Sequence, residues 1–160
     1  MSSLIRLGGE TMTFFLPCVP TTSTAQGKRQ NRATGAFFKD KRHESAMSVL
    51  TGLLAPYRPS TPLCGPVSMS VAFIYPHLAT GPKKTREGIR YRTTKPDLDN
   101  VVKGLIDVMA QLSFFAKGDE QIAELSLSKM HGEEPGIAIR IEEAQLEPYC
   151  FWKGVDHELS

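Results

Sequence analysis

The stretch Lys95-Pro96-Asp97-Leu98-Asp99-Asn100 opens a helical repeat that continues through Lys103 and Asp107. Leu98, Val101, Val102, Leu105, Met109 and Leu112 recur at helical spacing and predict one apolar stripe. Asp99, Lys103 and Asp107 follow at successive i,i+4 positions on a different, polar side. Pro96 disfavours helix before it, which places Asp97 at the N-cap and Asp99 in the first turn, where the helix dipole favours negative charge. A capped surface helix with ordinary i,i+4 ion pairs accounts for these residues taken alone. Two carboxylates one residue apart nevertheless repel each other and ask for a cation.

Working outward, residues 83–95 carry Lys83, Lys84, Arg86, Arg90, Arg92 and Lys95 against the single acid Glu87. Residues 28–42 repeat the bias, with Lys28, Arg29, Arg32, Lys39, Lys41 and Arg42 against Asp40. The net charge of +2 by itself does not suggest nucleic acid, but this distribution does. Solvated loops are the plainer account of either limb alone. Two basic limbs around an acidic point suit a phosphate-rich ligand with a divalent metal, because both signs of charge are needed in one place.

Downstream, Lys117-Gly118-Asp119-Glu120-Gln121 reads as a turn. Residues 122–130, with Ile122, Leu125 and Leu127 apolar, predict a strand; residues 131–136 form another turn. Ile137, Ile139 and Ile141 then alternate with Ala138 and Arg140, the pattern of a half-buried strand. If the strands return antiparallel beside the helix, Asp119 faces its start. The expectation is that Asp97, Asp99 and Asp119 converge.

The rest of the chain completes an α+β outline. Residues 1–10 read as a loose leader, residues 11–16 as a first strand ended by Pro17 and Pro20, and the segment to about residue 35 as a flexible basic loop. Phe38, Ala46, Val49, Leu50 and Leu53 give helical periodicity over 37–55. A proline-punctuated link over 56–66 leads to the strongest strand, 67–75, where Val67, Met69, Val71 and Phe73 share one face. Residues 77–94 read as a basic loop. A chain of 160 residues suits one domain, here 11–143, followed by a C-terminal extension over 144–160. The expected architecture is a mixed β-sheet with packed helices in β-α-β-α-β-β order.

Several classes are excluded. No segment reaches membrane-spanning length, and the start lacks a secretory pattern. Cys18, Cys64 and Cys150 are widely spaced without a CxxC, and the histidines form no HExxH, so structural zinc and a disulfide framework are not expected. A reducing cytoplasm is the natural setting.

The run from Lys95 to Lys103, then Asp107, Asp119-Glu120-Gln121-Ile122, Lys129 and Gly132-Glu133-Glu134-Pro135-Gly136, closely resembles the RusA family of bacterial and phage-derived endonucleases that resolve Holliday junctions. Phe15-Leu16-Pro17 and the strand beginning Gly65-Pro66-Val67 extend the similarity over residues 12–143, with 95–136 diagnostic. The resemblance implies metal-binding, catalytic aspartates at Asp97, Asp99 and Asp119, and a catalytic lysine at Lys103. Asp107 matches the family's helix aspartate, one turn from Lys103 and suited to be its partner. Glu120 stands ready to assist or replace Asp119. The implied cofactor is Mg²⁺, with Mn²⁺ as a substitute, held by oxygen ligands. The implied partners are a four-way DNA junction and a second copy of the chain, since a homodimer matches the symmetry of a junction cut by paired nicks. Lys83, Lys84, Arg86, Arg90, Arg92 and Lys95 are the expected DNA contacts. The chain departs from the family pattern after Glu143, and Thr21-Thr22-Ser23-Thr24-Ala25-Gln26 stands where an asparagine-rich start is usual.

Competing readings are weaker. A haloacid-dehalogenase-type Asp-x-Asp ends a buried apolar strand, whereas Arg90-Tyr91-Arg92-Thr93-Thr94-Lys95-Pro96 precedes this one. A glycosyltransferase is generally longer and doubly wound. A junction-binding protein without turnover and a general Mg²⁺-dependent nuclease remain as alternatives.

Overall fold

The alternating apolar residues become strands that share one buried face. The computed structural model describes residues 11–22, 29–30, 37–38, 41–79 and 87–145. The expected leader, most of the loop to residue 35, the lysines and arginine at 83–86, and residues 146–160 of the extension lie outside these. Strands β1 (Met12–Leu16), β4 (Val67–Tyr75), β5 (Arg90–Tyr91), β6 (Ile122–His131) and β7 (Gly136–Glu143) form one sheet in the order β1-β7-β4-β6-β5. β2 (Arg29–Gln30) and β3 (Phe37–Phe38) form a separate ribbon, and the helices are α1 (Lys41–Leu54) and α2 (Leu98–Gln111).

The sheet is mixed. β7 runs antiparallel to β1 and β4, β6 runs parallel to β4, and β5 is antiparallel to β6. The expected order is realised by β1-α1-β4-α2-β6-β7. Two details differ from the sequence reading. The helix expected from residue 37 begins at Lys41, because Phe37 and Phe38, aromatic β-formers, pair with Gln30 and Arg29 instead. The loop over 77–94 contains β5, whose Arg90 and Tyr91 pair with His131 and Met130.

A turn as short as 132–135 ordinarily joins neighbouring strands, yet β4 lies between β6 and β7. The chain passes over the end of β4, where the Gly132 N–H donates to the Tyr75 carbonyl at 3.0 Å. Gly136 completes the crossing beneath the Phe15 ring, where an added Cβ would stand 2.0 Å from Phe15 Cζ.

Because β4 and β6 are parallel neighbours, the chain must travel back along the sheet between them. α2 makes that return. Its buried surface is wider than the predicted stripe and includes Ile106 and Val108, since α2 packs on the sheet and also against α1. The two helices meet at Gly104, where a Cβ would stand 3.1 Å from Met47 Cε. Leu105 and Met109 join Leu16, Leu54, Val71, Phe73 and Ile139 in one core. The opposite sheet face stays largely open, lined by Thr13, Ser70, Ala72, Ser126, Ser128 and Ala138.

Leu105 is 1% exposed, so Leu105→Ala leaves a cavity at the junction of both helices and the sheet. The expected loss is about 2–5 kcal/mol, read as a lower urea midpoint at unchanged slope.

Candidate functional site

Asp97 takes the N-cap position of α2 with extended backbone (φ −75°, ψ 145°), but its carboxylate makes no capping hydrogen bond. Only its carbonyl is engaged, accepting from the Val101 N–H at 3.2 Å. Asp97, Asp99, Lys103 and Asp107 are all exposed. Among the described residues the one ion pair is Arg140 with Glu142, so the i,i+4 series on α2 is not cross-linked. A plain surface helix would spend these groups on a cap and on ion pairs. Here the carboxylates and the ammonium are uncommitted.

The backbone entering the helix is, by contrast, heavily committed. Lys129 Nζ donates to the carbonyls of Thr94 at 2.7 Å and Pro96 at 2.5 Å. The Arg92 guanidinium donates from Nε and Nη2 to the intervening Lys95 carbonyl at 3.1 and 2.5 Å. The Lys95–Pro96 peptide is cis. Arg92 also lies 4.4 Å over the Tyr75 ring, and its N–H donates to the Lys129 carbonyl at 3.0 Å. Burial pushes the Tyr75 phenol up to about 12, with the Arg92 charge acting in the opposite direction.

Asp119 opens a 3-10 turn, Asp119–Gln121, where it and Glu120 are exposed. Gln121 anchors that turn. It is 8% exposed, its amide donates to the carbonyls of Leu63 at 2.8 Å and Gly65 at 2.9 Å, and its Oε1 accepts from the Lys117 N–H at 2.5 Å. Gly118, at φ 120°, supplies the backbone conformation before the turn.

These anchors locate the carboxylates, and one expectation fails. Lys129, which holds the start of α2, pairs with Phe73 toward the far end of β4. Gln121 holds the Asp119 turn to Leu63 and Gly65, just before β4 begins. The span from Val67 to Phe73 and the length of α2 both come to roughly 20 Å. Asp97 and Asp99 therefore sit at one end of α2 and Asp119 at the other, and the three do not converge within one chain. Among the described residues no group of three or more acidic, histidine or cysteine side chains is arranged to hold an ion. The reason is the parallel pairing of β4 and β6, which puts the entrance of β6 beside the end of α2. The donor chemistry at Asp97 and Asp99 still suits a hard divalent ion, since Mg²⁺ is commonly held by one or two carboxylates with waters and phosphate oxygens.

Lys83, Lys84 and Arg86 lie outside the described residues. Lys95 is exposed, and Arg92 is engaged as above. Arg90 Nε and Nη2 and both ring nitrogens of His77 are shielded from solvent without a hydrogen-bond partner. The sequence reading assigned no role to Lys129 or Gln121. For Lys129 a signal existed: it shares the parity of Leu125 and Leu127, which in register accompany the core-facing Met69 and Val71. A charge at such a position needs a partner. Gln121 carried no comparable signal, because its acceptors come from residues 63 and 65.

Gln121→Leu leaves the Lys117 N–H and the Gly65 carbonyl without their partner, while the Leu63 carbonyl keeps the Ala116 N–H at 2.9 Å. The expected cost is about 1–3 kcal/mol in chemical denaturation, with faster hydrogen exchange at the Lys117 amide.

Comparison with known proteins agrees with this architecture. Residues 17–142 match the family model described as endodeoxyribonuclease RusA. The chain is 33% identical over 142 residues to the uncharacterized protein YqaN of Bacillus subtilis (strain 168), covering 80% of this chain and 98% of that protein. It is 29% identical over 135 residues to the crossover junction endodeoxyribonuclease rusA of Lactococcus phage r1t, covering 81% of this chain and 95% of that protein. With the match taking in both helices and the sheet apart from β1 and the last residue of β7, the chain belongs to the RusA family of endodeoxyribonucleases.

Proposed function

We propose that this chain is a divalent-metal-dependent, structure-selective endodeoxyribonuclease that resolves four-way DNA junctions by paired symmetric nicks, in recombination and repair in the cytoplasm. The observation that carries this reading is the uncommitted pair Asp97 and Asp99 at the start of α2, with Lys103 one turn along and equally free. These carboxylates are the proposed ligands of Mg²⁺, with Mn²⁺ as a substitute. When bound, such an ion activates water and offsets charge on the phosphate. Lys103 places positive charge at the scissile phosphate or the leaving oxygen, and Asp107, one turn along, is its proposed partner once substrate is bound.

Asp119, with Glu120 as its alternate, belongs to the opposite end of α2. A C2 pair of copies offers a way for both ends to serve one ion, the partner subunit's Asp119 meeting Asp97 and Asp99. The same symmetry presents two sites to the two related strands of a junction. Lys83, Lys84, Arg86, Arg90 and Lys95 are the proposed contacts to the phosphate backbone.

The test is incubation with a synthetic four-way junction and a linear duplex in Mg²⁺, Mn²⁺ or EDTA. Paired nicks at the crossover, only with metal, are expected; equal cutting of the duplex would mean a general nuclease. Asp97→Asn, Asp99→Asn and Asp119→Asn should each reduce cleavage by at least about 100-fold with junction binding retained. Mixing Asp97→Asn with Asp119→Asn should restore single nicks if the site is shared between copies, because one of the two sites then regains every ligand. Neutralising Lys83, Lys84 and Arg86 together should lower the slope of log affinity against log salt by about 0.9 for each phosphate that is no longer neutralised.

A further inference from the structure

The three carbonyls before Asp97 are all turned to side-chain cations. Thr94 and Pro96 accept from the one Lys129 ammonium, and Lys95 between them accepts from Arg92. The next carbonyl, that of Asp97, accepts from the helix at Val101. Every backbone acceptor from 94 to 97 is therefore committed, and Arg92 and Lys129 are themselves joined through backbone. Nothing in a connecting loop requires this. A loop at the surface satisfies its carbonyls with water at no structural cost.

What the lacing does is immobilise the backbone from which the Asp97 and Asp99 carboxylates project, while leaving both carboxylates free. A divalent ion is bound tightly only if its ligands are held in place before it arrives, because otherwise binding must also order them. Two adjacent acids would also drive an unrestrained segment to spread. Lys129 opposes that with a charge and two charge-assisted hydrogen bonds, delivered from a β6 position whose neighbour in the sheet is the buried Phe73.

We propose that Lys129, acting with Arg92, is a positioning residue for the metal-binding carboxylates: it fixes the entry to α2 so that Asp97 and Asp99 meet the ion preorganised. This rests on the nuclease reading above. Lys129 touches neither substrate nor ion, so its loss should appear first as weakened metal binding and only through that as lost cleavage.

The experiment measures Mn²⁺ affinity of the full chain without DNA, by electron paramagnetic resonance, and the metal concentration giving half-maximal junction cleavage. Lys129→Met should weaken Mn²⁺ binding by about 10–100-fold and raise the half-maximal metal concentration in proportion. Saturating metal should recover much of the rate, and junction affinity in EDTA should stay within about threefold of the parent. Lys129→Arg, which keeps the charge and can donate to both carbonyls, should recover part of the affinity. If Lys129→Met does not fold, Lys129→Gln, which keeps a donor but not the charge, carries the same measurement with a smaller expected loss. A folded Lys129→Met, or Lys129→Gln in its place, with unchanged Mn²⁺ affinity and unchanged metal dependence overturns the proposal. If the parent binds no Mn²⁺ and cuts equally well in EDTA, the metal-dependent nuclease reading has failed instead, and the two failures are distinct.

Discussion

The parallel pairing of β4 with β6 is the constraint on which the rest of the structure depends. Parallel neighbours cannot be joined by a tight turn, so the chain must return along the whole sheet before β6 begins. α2 is that return, and it buries a broad apolar surface because it is held between the sheet and α1. Its two ends therefore become two separate chemical locations. The Asp97 end lies beside the later residues of β6, and the Asp119 end lies beside the start of β4. A single topological choice thus separates carboxylates that stand close in the chain's linear order.

Each location is held by one half-buried or buried polar side chain that serves backbone rather than ligand. Lys129 secures the entry to α2, and Gln121 secures the turn at Asp119. Both work in the same manner: a side chain rooted in β6 or at its start reaches carbonyls distant in sequence and satisfies them. Hydrogen bonds of this kind contribute about 1 kcal/mol when neutral and about 1.5–3 kcal/mol when one partner is charged. That is modest against the apolar core but large where it decides the position of a side chain a few ångströms away. The exposed acids Asp97, Asp99 and Asp119 make no side-chain hydrogen bond or ion pair among the described residues. Their freedom is the feature that distinguishes them from ordinary helix caps and ion pairs.

Legibility in the sequence followed the range of the interactions. Strand 67–75 was readable because alternation is a local property, and its bounds in the structure are the same. The apolar stripe of α2 was readable for the same reason, although Ile106 and Val108 needed knowledge of the second helix. Periodicity draws Phe37 and Phe38 into a helix, whereas pairing with the short strand just upstream, Arg29–Gln30, decided their conformation. The family was legible through a pattern of residue types from Lys95 to Gly136, and the match over 17–142 bears that out. Lys129 and Gln121 stood in that pattern without a role, since their partners are carbonyls, which a sequence does not display.

The order of residues alone determined the types of the six main elements, β1, α1, β4, α2, β6 and β7, together with the acidic helix start between a basic loop and a second acidic turn, and the family. Alternation, helical spacing and charge are written in consecutive side chains, so no folding was needed to read them. Tertiary structure alone decided that β4 separates β6 from β7, that Asp119 lies at the opposite end of α2 from Asp97, and that Lys129 and Arg92 grip the backbone between them. Those facts depend on which strand edges pair and in which direction, and backbone hydrogen bonding is nearly blind to the side chains that sequence records.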